Sequence, residues 1–197
     1  RMKKNLGAKD ILFPTPVLIV GTYDKDGTPN AMNVAWGGLC SSKPPAIAIS
    51  IRTERRTYLN ILEKNAFTVN IASEAVMAEA DYFGVVSGNQ VKKFDHIDLS
   101  AVKANYVDAP YIAELPLALE CKVMQVIKVG QHMHVIGEIV NVIADETVLD
   151  EKGRVDVVKL KAIGYDPAGN HYIATSEIVG DAFSVGLPLA EKAKNDI

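Results

Sequence analysis

The chain has 197 residues, 48% of them hydrophobic and 23% charged, with a formal net charge of −3. That is enough for one domain with a sizeable core, and the charge excludes a broad face for nucleic acid. Two widely spaced cysteines, Cys40 and Cys121, exclude a disulfide framework, and no run approaches the roughly 18 apolar residues of a membrane span. A cytoplasmic protein with reduced thiols and no membrane partner is expected.

Residues 17–23, VLIVGTY, form a β-branched run behind Pro14 and Pro16 and before the turn at 24–27. The return strand 29–36 puts Asn30, Met32, Val34 and Trp36 on one face and Ala31, Asn33 and Ala35 on the other. Neither face is cleanly apolar, so its polar members need a purpose. Gly37-Gly38 reads as a turn or strand break. Pro44-Pro45 interrupts any ladder, and 46–51 is a near-continuous apolar strand of the kind buried on both sides. From 54 to 64 the period becomes helical, with Thr53 as N-cap, a stripe of Tyr58, Leu59, Ile61 and Leu62, and Asn65 at the end.

Residues 67–71 read as a strand, 74–83 as a second amphipathic helix and 84–89 as a loop. The stretch 90–116 has no sustained period and is taken as an insertion of loop and short helix. Leu117–Val129 and His132–Ala144 then form a hairpin turning at Gly130-Gln131, long enough to bend around a barrel. A turn at 150–153, a strand at 155–160, a turn between Tyr165 and Tyr172, and a polar, mobile tail at 189–197 complete the chain. The whole is expected to be one domain, mainly β with peripheral helices, built as a Greek-key barrel.

Chemistry concentrates between residues 27 and 57. Ser50, Arg52, Thr53, Arg55, Arg56 and Thr57 put guanidinium groups, hydroxyls and a helix start within eight residues, which suits a phosphate monoester. Cations at a helix N-terminus also oppose its dipole, so an anion there would relieve a local conflict. The ordinary alternative is a solvated cap with Glu54 balancing one arginine. Asn30, Asn33 and Trp36 offer amides and an indole to a heteroaromatic ring. Taken alone, they are better explained as a turn, a bulge and a core residue. Cys40 has no partner histidine and reads as a small buried hydrophobe. His132 and His134 share a strand face but lack a third ligand, so no metal is expected. Ser87, Gly88, Lys92 and Lys93 offer a second anion contact, or simply a solvated loop. Neither GxGxxG nor GxxxxGK[ST] is present, which excludes the usual dinucleotide and P-loop fingerprints.

Taken in order, FPTPV leading into VLIVGTYD, then DGTPNAMNVAW, SSKPPAIAISI, RTYLNI, FTVNI, SGNQVKKF, HMHVIGEIV and IGYDPAGNHYIA make a chain that resembles the flavin reductase-like family. The resemblance implies a homodimeric, FMN-binding split barrel with FMN, rather than FAD, near the subunit interface. By the same resemblance, Asn30 and Trp36 lie near the isoalloxazine, and the stretch 30–41, with Asn33, Cys40 and Ser41, serves the ring. Ser50, Arg52 and Thr57 lie toward the ribityl phosphate, Lys93 and His132 complete the site, and Tyr165 or Tyr172 closes it. The activity implied is that of an NAD(P)H-dependent flavin reductase, with NADH, NADPH or a redox protein as donor. The alternative is a flavoredoxin-like carrier that keeps FMN bound and does not turn over a nicotinamide.

Overall fold

The computed structural model describes residues 1–195. In chain order the strands are β1 (Thr15–Pro16), β2 (Leu18–Tyr23), β3 (Pro29–Val34), β4 (Gly37–Ser42), β5 (Pro45–Arg52), β6 (Ala66–Ile71), β7 (Ala101–Lys103), β8 (Pro110–Ile112), β9 (Leu117–Val129), β10 (His132–Ala144), β11 (Ile163–Asp166) and β12 (His171–Ala174). The helices are α1 (Arg56–Lys64), α2 (Met77–Val85), α3 (Val157–Leu160) and α4 (Leu187–Asn195).

Seven strands form one antiparallel sheet in the order β3-β2-β6-β9-β10-β5-β4. The edge strands β3 and β4 are therefore farthest apart in the sheet, yet only Ala35 and Trp36 separate them in sequence. The sheet has to roll up to satisfy that short link. The backbone N–H of Ser50 donates to the carbonyl of Trp36 at 2.8 Å, fastening the link to β5. The fold is a split barrel, mainly β with few helices, and its seam lies where β3 meets β5.

Alternation along the strands divides the core in two. Leu18, Val20, Val34, Ile49, Phe67, Val69 and Val135 fill the barrel, and α1 contributes Tyr58 and Ile61 to the same cluster. The opposite face of the same strands supplies Ile19 and Ala31, with Val17 just before β2, to an outer cluster with Ala80 and Phe83 of α2 and Ile112 of β8. This is why β2 reads as a continuous apolar run: both its faces are covered. The long β9–β10 hairpin carries register shifts at Ile136/Gly137 and Ile139/Asn141, which bend it around the barrel. Gly137 is needed there, because a Cβ would lie 2.5 Å from the ring of Phe67.

Four expectations are corrected. Gly37-Gly38 is no break but the start of β4, admitted to close packing because a Cβ on Gly37 would strike Leu18 and the carbonyl of Ala48. Residues 155–160 form no strand. Asp156 instead caps a short helix, its carboxylate accepting the N–H groups of Val158 at 2.9 Å and Lys159 at 3.2 Å. Helix α1 begins after Arg55 with no side-chain cap, so Thr53 does not serve, and Leu59 and Leu62 face outward. The stretch 90–116 adds the β7–β8 hairpin to its short helical turn at Lys93–His96. The hairpin is bound in: Asn70 of β6 accepts from the N–H of Ile112 at 2.9 Å, and Thr68 donates to the carbonyl of Pro110. Of the segment 189–197, residues up to Asn195 belong to α4, and residues 196–197 lie outside the described residues.

Candidate functional site

The mixed character of β3 has a structural use. Its Asn30 meets α1, where Nδ2 donates to the Thr57 hydroxyl at 2.9 Å. Three residues on and on the opposite face, Asn33 meets α2, where Nδ2 donates to the carbonyl of Ala80 at 3.0 Å. The two asparagines fasten two helices across the open edge of the barrel.

Between those helices lies a small polar recess of ≈ 70 Å³, bordered by Asn30, Arg55, Arg56, Thr57, Ser87, Gly88 and Lys93. Helix α1 points its N-terminus here with no side-chain cap and no acidic residue in its first turn. Unpaired N–H groups and the positive end of the dipole therefore combine with nearby cations. Two buried atoms at this recess, Oδ1 of Asn30 and Nε of Arg56, have no hydrogen-bond partner among the described residues. Such orphans cost on the order of 1–3 kcal/mol each unless a ligand or water meets them. Gly88 lies so close to Asn30 that a Cβ would overlap Oδ1.

Lys93 is 3% exposed and donates from Nζ to the carbonyls of Ala31 at 2.7 Å and Phe83 at 2.8 Å. Burial, and then the nearby charge of Arg55, lowers its pKa to about 8. An ammonium has three donors, so these two bonds leave one for the recess.

Met32, Asn33 and Arg55 border this recess and also a larger cleft of ≈ 250 Å³ along the seam. The cleft is completed by Trp36 from the β3–β4 link, Ser50 and Arg52 of β5, His132 of β10 and Tyr165 of β11. The pairing of β10 with β5 sets His132 opposite Arg52 and His134 opposite Ser50. His134 is engaged, with Nδ1 2.8 Å from the Ser50 hydroxyl. Arg52 meets Glu54 only at 3.9 Å, with both side chains well exposed, so little holds its charge away from a ligand.

The sequence-derived residues thus divide differently from their order in the chain. Asn30, Thr57 and Lys93 gather at the recess, whereas Trp36, Ser50, Arg52 and His132 gather at the cleft, and Asn33 borders both. Cys40 and Ser41 border neither. Both are exposed on β4, and Cys40 falls at that strand's register shift, so its reading as a buried hydrophobe is corrected. The site roles implied by the resemblance leave out Arg55 and Arg56, although the arginine cluster contains them. The carbonyl of Ala80, which holds Asn33, carries no sequence signal, since its place depends on where α2 docks. Among the described residues no group of three or more His, Cys, Asp and Glu could hold a metal ion. No helix among them is long and apolar enough to cross a membrane.

A family model described as the flavin reductase like domain matches residues 11–159. The chain belongs to that family. Among solved structures, flavoredoxin of Desulfovibrio vulgaris (Miyazaki F) is 43% identical, with a TM-score of 0.90 over 94% of this chain and 100% of the other. An uncharacterized protein of Aquifex aeolicus is 30% identical over 83% of this chain and 85% of its own length. The flavin reductase (NADH) of Kitasatospora aureofaciens is 25% identical over 65% of each chain. In this chain α1, α2 and the β3–β4 link all border the recess or the cleft.

Proposed function

We propose that this chain binds FMN and acts as an oxidoreductase, taking electrons from NADH, NADPH or a protein donor and passing them to an acceptor. The observation that carries this reading is the pair of orphaned buried atoms in one recess, a donor at Arg56 Nε and an acceptor at Asn30 Oδ1. A bare phosphate would satisfy the arginine and repel the amide oxygen. A phosphate carried on a hydroxylated chain suits both, and the ribityl phosphate of FMN has that composition. Arg55, Arg56, Lys93 and the start of α1 would hold the phosphate, and Asn30 a chain hydroxyl. The seam cleft would take the ring against Trp36, with Ser50, Arg52 and His132 along its edge.

Bound there, the flavin supplies the redox chemistry. The protein's part would be to bind, orient and limit solvent, and Arg52 on the cleft would supply positive charge beside the ring. FMN is preferred to FAD because the recess is small and closed by the 84–88 loop, leaving little room for an adenylate beyond the phosphate.

The likeness to a flavoredoxin over nearly the whole chain favours a second reading, an electron carrier that keeps FMN bound without using a nicotinamide. Anaerobic mixing of the FMN-loaded protein with NADH and with NADPH separates the two. Loss of the visible flavin absorbance with either nucleotide supports the reductase, and persistence with both leaves the carrier.

A further inference from the structure

Outside the two cavities, a chain of hydrogen bonds runs from the surface of α2 to the ligand side of β3. Tyr172 of β12 donates its hydroxyl proton to Oδ1 of Asp81 at 2.7 Å. Burial, and then the bond to Asp81, raises the pKa of that phenol, so its proton stays in place at neutral pH. Asn33 donates from Nδ2 to the same Tyr172 oxygen at 3.3 Å and to the carbonyl of Ala80 at 3.0 Å. The phenolic oxygen has spent its only proton on a carboxylate, and a backbone carbonyl has none to give. Both groups facing Asn33 are therefore acceptors, and they force its NH₂ toward themselves.

We infer that Asp81 and Tyr172 are positioning residues that lock Asn33 with Oδ1 as an acceptor toward the bound ligand. Oδ1 has no hydrogen-bond partner among the described residues, and Asn33 borders both the recess and the cleft. The site then reads an N–H or O–H of its ligand and disfavours a carbonyl at that place. On the FMN reading, which this inference deepens, the group accepted is the ring's N–H or a ribityl hydroxyl, never a ring carbonyl. Tyr172 is suited to the task because its ring also packs on Tyr165, another residue of the cleft, with centroids 6.2 Å apart. Tyr172→Phe keeps that contact and removes only the hydroxyl.

The test is a double-mutant cycle on FMN affinity, measured by fluorescence titration of apoprotein for wild type, Asn33→Ala, Tyr172→Phe and the double variant, with the melting temperature of each apoprotein alongside. Asn33→Ala is expected to weaken FMN by roughly tenfold and Tyr172→Phe by a few fold. The double variant should be no weaker than Asn33→Ala, because the hydroxyl acts through Asn33. Asp81→Ala, which leaves every ligand-lining residue in place, should weaken FMN in the same direction as Tyr172→Phe. Strictly additive losses, or unchanged affinity in Tyr172→Phe and Asp81→Ala with only the melting temperature lowered, would overturn the inference and leave a structural tie between α2 and β12. Failure of wild-type protein to take up FMN would instead overturn the cofactor reading itself.

Discussion

Arg56 shows how much of the site depends on single groups. Its Nε is buried without a protein partner, whereas the more exposed Arg52 faces solvent. On the proposed function Arg56 makes a charge-assisted bond to the phosphate worth about 1.5–3 kcal/mol, so Arg56→Ala is expected to weaken FMN by roughly ten- to a hundredfold. Riboflavin, which lacks the phosphate, should lose much less, and titration of both flavins checks the difference. Lys93 gives a pH signature. Its folded pKa, about 8, lies below the ordinary 10.5, so the apoprotein binds fewer protons than the unfolded chain between those values and its stability should rise with pH across that window. On the proposed function the protonated form holds the phosphate, so FMN affinity should fall as pH rises through about 8. Chemical denaturation and FMN titration, each run from pH 7 to about 10.5, read the two opposite slopes. At this scale the sequence was legible where residues carry charge: the arginines at 52–56 and Lys93 were visible as candidates. Their division between recess and cleft was not, because it depends on which way each strand and helix faces.

At the scale of elements, periodicity located the hairpin β9–β10 to the residue, and β2, β5 and β6 within one or two. It failed where local chemistry overrode propensity. Val155, Val157 and Val158 favour a strand, but one capping carboxylate turns the segment into α3. Asp156→Ala should therefore cost about 1 kcal/mol of stability, visible as a lowered midpoint in urea unfolding. Glycine misled in a different way. Gly37 and Gly38 suggest a break, yet β4 uses Gly37 to approach Leu18 and β5. Gly137 serves the same end inside β10. Gly137→Ala would drive a methyl into Phe67 and is expected to destabilise by about 1–3 kcal/mol, measured in the same unfolding experiment. The β7–β8 hairpin escaped notice because its strands are three residues each and are held by β6 side chains rather than by a pattern of their own.

Over the whole molecule, antiparallel hairpins and the absence of regular strand–helix alternation were enough to indicate a barrel. The split was not legible, since it follows from two edge strands joined by only Ala35 and Trp36. The outer surface carries a further expectation. Leu39 on β4, and Met124, Val140 and Val142 on β9 and β10, are 39–76% exposed, more apolar surface than an isolated barrel wall needs. A homodimer formed through these strands is expected, and Met124→Glu with Val140→Glu should shift sedimentation toward the monomer. The proposed function requires the recess to be a phosphate site joined to a ring site. Titrating the apoprotein with FMN and with riboflavin in parallel tests that most directly. FMN should bind at least about tenfold more tightly, the contribution of one or more charge-assisted bonds to the phosphate. Equal affinity for the two flavins, or binding of neither, would contradict it.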